Sequence, residues 1–416
     1  MSSAHENAPQ STPRVFPGNP TPLGNDPVGS ADVVVVGAGA IGAACTYFLT
    51  LAGLTAHVVE RGQIASGTTS ACEGNLLVSD KEAGPELDLA LYSQSVWHGD
   101  LAEFGHLWEF ETKGGLVVAV TDEGTGAIRA RADRQRAAGV QAVDVAAQDI
   151  REYEPFIRDG LAGAAYYPQD AQVQPALLAG HLLRLARARG ARVSTGVTVT
   201  GFERAVHWPR RVVAVQTTRG SIACRYVVNA AGTWAAAVAE LAGVEVPIMP
   251  RRGFILVTEP LPRIINRKVY AGEYVASTQS SDESLQTSAV IEGTRSGTIL
   301  IGSSRERIGF DRTVSLDAMR TIARKALDLF PALAGVRIMR CYLGFRPYCP
   351  DHLPVIGHDP RAPGLWHASG HEGAGIGLSV GTAKLLTQAI SGQSCDLDLT
   401  PFAPERFSEL TTHAEH

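Results

Sequence analysis

The chain has 416 residues, 45% hydrophobic and 19% charged, a globular composition with length for two domains or one discontinuous pair. A net charge of −5 gives no basic footprint for nucleic acid, and no apolar run approaches the ~20 residues of a membrane span. The six cysteines are scattered without a Cys-x-x-Cys pair, which argues against a metal site or a disulfide framework and makes a reducing cytoplasm the expected setting.

Residues 1 to about 30 are rich in Pro, Gly, Asn and Ser and lack an apolar h-region, so they read as a disordered tail. Four consecutive valines, Val33 to Val36, then lead into Gly37, Gly39 and Gly42, followed by small helix-forming residues. That order is strand, tight turn, helix. Gly37 permits the turn, Gly39 lets the backbone approach a pyrophosphate, and Gly42 seats the helix on the strand. The helix N-terminus, with Ala40 and Ile41, offers free N–H groups and a partial positive charge to phosphates. The helix runs to about Ala52 with Gly53 as a cap, and the strand Ala56–Val59 ends in Glu60. A carboxylate there accepts both hydroxyls of an adenosine ribose. The alternative is an ordinary βαβ start without a ligand.

The run from Arg61 through Thr68, Thr69 and Ser70 to Asn75 is too small and polar for a core element. It is a surface loop, or its hydroxyls and amides serve the far phosphate and a ring system. A flavin dinucleotide, buried along its length, needs such a second loop; a nicotinamide cofactor usually does not. Cys72 lies beside it as a small buried thiol.

Residues 86–111 carry helical spacing, and 114–120 read as a strand. Residues 122–138 look like a charged, solvated helix. A short helical turn near 149–155 and a loop at 166–173 precede a helix over 175–189. Strands follow at 191–195 and 197–202, then a hairpin around Arg219-Gly220. A buried strand ends at Gly232, a second point of close approach, before a helix over 233–242. A β-rich region from 250 to about 311 contains the Ser-rich stretch 277–284, a surface loop or a lid. A helix over 315–330 and a strand near 336–342 come next. Gly344 to Gly357 is turn-rich yet apolar. The strand 364–368 then leads to Gly370, His371, Gly373, Gly375 and Ile376, opening a helix to about Ile390. Its N-terminus is suited to face a flavin pyrimidine, where reduction places negative charge.

Taken together, the Val-Val-Val-Val-Gly-Ala-Gly-Ala-Ile-Gly stretch, Gly-Phe-Arg-Pro followed by Pro-Asp, and Gly-His-Glu-Gly-Ala-Gly-Ile resemble the glycine oxidase and sarcosine oxidase family of FAD-dependent amine oxidoreductases, within the D-amino-acid oxidase superfamily. Gly-Asn-Leu-Leu-Val-Ser and the closing glycine run look closest to flavin subunits of opine and D-hydroxyproline dehydrogenases. The resemblance covers about residues 31–392. It implies an α/β chain with a Rossmann-like FAD-binding domain (31–80, 150–250 and 336–395) and a mixed-sheet α+β substrate domain (81–149 and 251–335), flanked by the tails 1–30 and 396–416.

By the same resemblance, Gly37, Gly39, Ala40, Ile41, Gly42, Glu60, Arg61, Thr68, Thr69, Ser70, Asn75, Val199, Gly232, Gly370, His371, Gly373, Gly375 and Ile376 would bind FAD, with the Val199 backbone at the adenine. Arg346 matches the arginine that grips the substrate carboxylate; the alternative is a structural salt bridge. A guanidinium holds a carboxylate bidentately and keeps its charge. This chain also departs from the family. Gly373 stands where glycine oxidase has a second arginine, and Val290 lies near the place of its active-site tyrosine. Gly344 lies near the place of a flavin-tethering cysteine, so FAD is expected to be noncovalent. Arg305 is either a second cation, suiting a substrate with more than one carboxylate such as an opine, or a surface arginine paired with Glu306.

The implied reaction is oxidation of a C–N bond beside a carboxylate in a D-amino acid, glycine or sarcosine, hydroxyproline or an opine. Hydride goes to flavin N5 and the imine hydrolyses. His371 is the expected nearby titrating group. Electrons leave to oxygen or to a partner electron-transfer subunit. The rival reading is a non-catalytic or partner-dependent flavoprotein subunit of a larger dehydrogenase complex.

Overall fold

The computed structural model describes residues 29–207, 211–272, 274 and 280–407. The expected N-terminal tail up to residue 28, the final residues from 408 and residues 277–279 of the Ser-rich stretch lie outside the described residues. Among the described residues no helix is long and apolar enough to cross a membrane.

Val33, Val34 and Val35 are wholly buried, and Val36 nearly so. A strand this apolar on both faces belongs inside a parallel sheet covered on both sides. Gly29–Val36 accordingly runs parallel to Ala56–Glu60 on one side and to Gly220–Asn229 on the other. The sheet extends through Arg192–Thr195 at one end and through Leu365–Ser369 and Val355–His358 at the other. The hairpin strand Val212–Thr217 pairs antiparallel with Gly220–Asn229, and Val199–Arg204 pairs with Val212–Thr217. Helices Ala40–Leu51, Pro175–Ala188 and Gly375–Ile390 pack together, the first against both others.

A second eight-stranded sheet has the order Ile338–Tyr348, Met249–Thr258, Ile299–Arg305, Gln286–Gly293, Lys268–Ala271, Gly115–Ala119, Gly163–Tyr167, Val143–Ala146. Among the described residues only the Lys268–Ala271 and Gly115–Ala119 pair of this sheet is parallel, so the sheet is mixed. Helix Leu316–Leu329 covers it on Gln286–Gly293 and Ile299–Arg305.

Three local expectations change. The stretch around Tyr166-Tyr167, read as a loop, is the strand Gly163–Tyr167, and it belongs to the second sheet although its segment was assigned to the FAD-binding domain. The strand expected near 336–342 runs from Ile338 to Tyr348 and also lies in the second sheet. It is the edge strand of that sheet, where Pro347 can sit without an N–H to donate. The helix Asp122–Ala137 is not merely solvated: Gln135 is fully buried, donates to the carbonyls of Val78, Ser79 and Lys81, and accepts from the Tyr167 hydroxyl at 2.7 Å.

Candidate active site

The first glycine turn is fixed by sterics. Gly37 has φ +108°, and a Cβ there would stand 2.5 Å from the Ala230 carbonyl oxygen. A Cβ on Gly42 would run into the Gly37 carbonyl. Strand, turn and helix thus touch backbone to backbone. Gly39 caps the helix without a side-chain bond, while the Ala40 N–H donates to Thr69 Oγ1 at 3.0 Å. Glu60 is held by two backbone donors, Ala38 N at 2.9 Å on one oxygen and Gly62 N at 2.7 Å on the other. Each oxygen keeps a lone pair for a hydroxyl group.

Three turns far apart in the chain line one cavity of about 370 Å³: Gly37 and Gly39, then Gly232, then Gly373 and Gly375. Ala40, Ile41, Glu60, Arg61, Thr68 and Thr69 line it too, as do Asn75, Val199, His371 and Ile376. Gly42 lies beneath the turn rather than on the wall, and Gly370 shapes the last turn at φ +81°. Ser70 is exposed and stands outside the lining. The steric cradle at Gly37, the fixed Glu60 and the helix N-termini at Ala40 and Gly375 suit a long dinucleotide with a ring system at its far end.

At that far end Arg346 lines the cavity. Its Nη1 donates to the Ser304 carbonyl at 2.8 Å, and among the described residues it makes no ion pair. Burial, aided by the neighbouring Arg305 charge, lowers its pKa to about 10, so it stays charged at neutral pH. Arg305 is buried, with its guanidinium 4.7 Å from the Tyr274 ring centre, and does not line the cavity. The alternative of a surface arginine does not hold, since Arg305 is buried, and Glu306 bonds Arg252 at 2.8 Å.

His371 lines the cavity but does not fit the titrating role. It is buried, its Nε2 lies 3.0 Å from Thr382 Oγ1, and among the described residues its Nδ1 has no partner. Burial lowers its pKa to about 3, so the ring is neutral and offers a hydrogen-bonding atom rather than a proton at neutral pH.

Several wall residues escaped the sequence. Tyr274, Glu372, Phe345, Trp234 and Glu73 all line the cavity. Trp234 carries the Arg61 guanidinium 3.8 Å from its ring centre and stacks on Phe310 at 5.3 Å. Glu372 (φ +44°) holds Arg251 at 3.4 Å and His352 Nδ1 at 2.9 Å. Glu73 had a signal: it is the only charged side chain between Arg61 and Asp80. Phe345 stood beside Arg346 in the Gly-Phe-Arg-Pro motif, while Tyr274 had no signal, being one aromatic among several.

The sequence matches the DAO family, described as FAD dependent oxidoreductase, over residues 32–389. It is 30% identical to the hydrogen cyanide synthase subunit HcnC of Pseudomonas aeruginosa, covering 90% of this chain and 96% of that protein. It is likewise 30% identical to the glycine oxidase of Pseudomonas aeruginosa, over 90% of this chain and 99% of that protein. The crystal structure of glycine oxidase from Geobacillus kaustophilus superposes with a TM-score of 0.81 at 27% identity, covering 91% of this chain and 99% of that one.

Proposed function

The chain belongs to the DAO family of FAD-dependent oxidoreductases, and from that premise we propose that it oxidises the C–N bond of a small amino acid or N-substituted amino acid anchored by its carboxylate on Arg346. One observation carries this reading: among the described residues, the charged guanidinium on the cavity wall forms no ion pair with a carboxylate. A buried arginine without a counter-ion is costly unless a ligand supplies one. FAD, when bound, supplies the two-electron acceptor. The Gly37 turn and Glu60 would hold its adenosine and pyrophosphate half, and the Gly375 helix N-terminus with His371 its ring system. Attachment is expected to be noncovalent, since Gly344 stands near the place of the family's flavin-tethering cysteine, and burial pushes the pKa of the Cys72 thiol on the wall up to about 12. Arg346 fixes the carboxylate in two directions, which sets the α-carbon in one place; such positioning replaces much of the work a base would do.

The test begins with the purified, yellow protein, whose colour acid should release. Anaerobic mixing with D-amino acids, N-alkyl glycines and hydroxyproline should bleach it with at least one of them. Arg346→Ala should weaken carboxylate binding by roughly 1.5–3 kcal/mol. Unchanged affinity in that variant would remove Arg346 from the site. A colourless preparation that binds NAD would defeat the cofactor assignment, and no bleaching by any amine would favour a flavin-bearing subunit without turnover of its own.

The relative named as a hydrogen cyanide synthase subunit favours one second reading, in which electrons leave through a partner subunit. Peroxide release by the isolated chain would count against it.

A further inference from the structure

We propose that Glu73 is a specificity-determining residue: its buried carboxylate makes the wall beside Arg346 negative and selects ligands with a cationic nitrogen next to the carboxylate. The inference rests on Arg346 as the carboxylate anchor.

The charged groups lining this end of the cavity are Arg346, Glu372 and Glu73. Glu372 is already matched, with Arg251 on one oxygen and His352 on the other. Glu73 is not. It is 7% exposed, and among the described residues its Oε2 accepts a hydrogen bond only from Asn75 Nδ2 at 3.0 Å while its buried Oε1 has no partner. Lys268 is the nearest cation, but it sits 3.0 Å from Glu292 and 3.9 Å from Glu73. Its amine also donates to the Asn75 side chain. One lysine therefore serves two carboxylates, and Glu292 holds it more closely. Lys113 is turned to the Gly293 carbonyl and to Glu111 at 3.9 Å. Arg305 and Arg251 also act on Arg346, Arg251 as its neighbour across the strand pair, and Glu73 acts on it with the opposite sign. The site thus carries both signs, positive around Arg346 and negative at Glu73. In a low-dielectric cavity such a pair of charges orients a zwitterion without touching both of its poles.

Two acids of equal shape that the flavin cannot oxidise to an imine isolate this charge: glycine betaine and 3,3-dimethylbutanoate, which differ in a quaternary nitrogen against a quaternary carbon. Their binding is read as perturbation of the bound flavin's absorbance, with no turnover. The FAD-loaded wild type should bind betaine about tenfold more tightly. Glu73→Gln should bring the two affinities together, whereas Glu372→Gln should leave most of the preference. Should Glu73→Gln not fold, Glu292→Gln asks the same question, because it releases Lys268 to neutralise Glu73 and the preference should shrink. Equal affinities in the wild type overturn the proposal, as does a preference that survives Glu73→Gln or, in its place, Glu292→Gln, or one that Glu372→Gln abolishes. If both acids bind, depend on Arg346 and are indistinguishable, Glu73 selectivity fails while the anchor stands. If neither acid binds at all, both readings fall.

Discussion

Arg346 depends on a residue that has no side chain. Its neighbour across the strand pair is Arg251, and two positions further along Gly253 faces Gly344. A Cβ on Gly253 would strike the Arg346 guanidinium and come within 2.5 Å of the Ser304 carbonyl oxygen, the group that Arg346 bonds. The backbone oxygen cannot step aside, so the guanidinium must. Gly253→Ala should therefore retain FAD but bind carboxylate ligands roughly tenfold or more weakly, since a charged hydrogen bond is worth ~1.5–3 kcal/mol. Flavin content and ligand titration of the same preparation check both halves. Undiminished binding would mean that the strand pair has room to spare. Buried histidines make a second residue-scale case. His57 sits beside Ser194 Oγ at 2.8 Å, and burial, with Arg192 nearby, lowers its pKa to about 4. Unfolded, it titrates near 6.5. Between about pH 6.5 and 4 the unfolded chain therefore holds more protons, and stability must fall as the pH falls, by up to ~1.4 kcal/mol per unit for one such group. His371, lowered to about 3, acts in the same direction. Replacing His57 by Gln removes its share. The stability gap between wild type and variant, measured by urea unfolding at pH 7.5 and at pH 5, should narrow at the lower pH by roughly 1–2 kcal/mol. A gap independent of pH would show that His57 is not the group concerned.

Elements whose pattern is local were legible in the chain. Four valines before a glycine turn can only be a doubly covered strand, and the helix after Gly42 follows from the same spacing. The Gly370 to Ile376 turn announced itself in the same way, ahead of the helix Gly375–Ile390. What stayed hidden depends on partners distant in sequence. Gly344 and Pro347 read as part of a turn-rich stretch beyond the strand, yet an edge position tolerates the proline and Ala71 requires the glycine, since a Cβ on Gly344 would stand 2.7 Å from the Ala71 oxygen. Gln135 looked like one more polar helix residue until its carboxamide met three carbonyls of the 78–81 segment. Glu73, Lys268 and Glu292 come from a loop and two separate strands, and no spacing within the chain forecasts their meeting. The glycine turn itself supports a direct test. Gly42→Ala would push the helix away from the Gly37 carbonyl, and overpacking of this kind costs about 1–3 kcal/mol. The variant should lose both stability and FAD affinity, measured by denaturant unfolding and by the flavin retained after desalting. A variant with wild-type FAD affinity would mean that helix and strand do not need this contact.

At the scale of the whole molecule, the cofactor cavity lies where the two sheets meet, and direct ties join them there. Thr68 and Thr233, from the first sheet's connections, both donate to the Phe345 carbonyl of the second sheet's edge strand, at 2.6 and 2.9 Å. Trp234 reaches across to stack on Phe310, whose segment is held by Arg252 through Asp311 and Thr313. Residues of both sheets line the cavity: Gly37, Glu60 and Ser369 on one side, Gly253, Ile255 and Arg346 on the other. A cofactor filling that space is bound by the assembled molecule and not by the unfolded chain, so it must stabilise the fold by mass action, by about 2.7 kcal/mol at a hundredfold excess over Kd. Stripping FAD should lower Tm, and returning it should raise Tm progressively with concentration, whereas NAD at the same concentrations should not. Fluorescence of Trp234, on the cavity wall, should be quenched over the same FAD range. The two readouts must agree, because both follow one occupancy. A Tm indifferent to FAD, or raised equally by NAD, would mean that the cavity between the sheets does not hold the dinucleotide that the rest of the geometry requires.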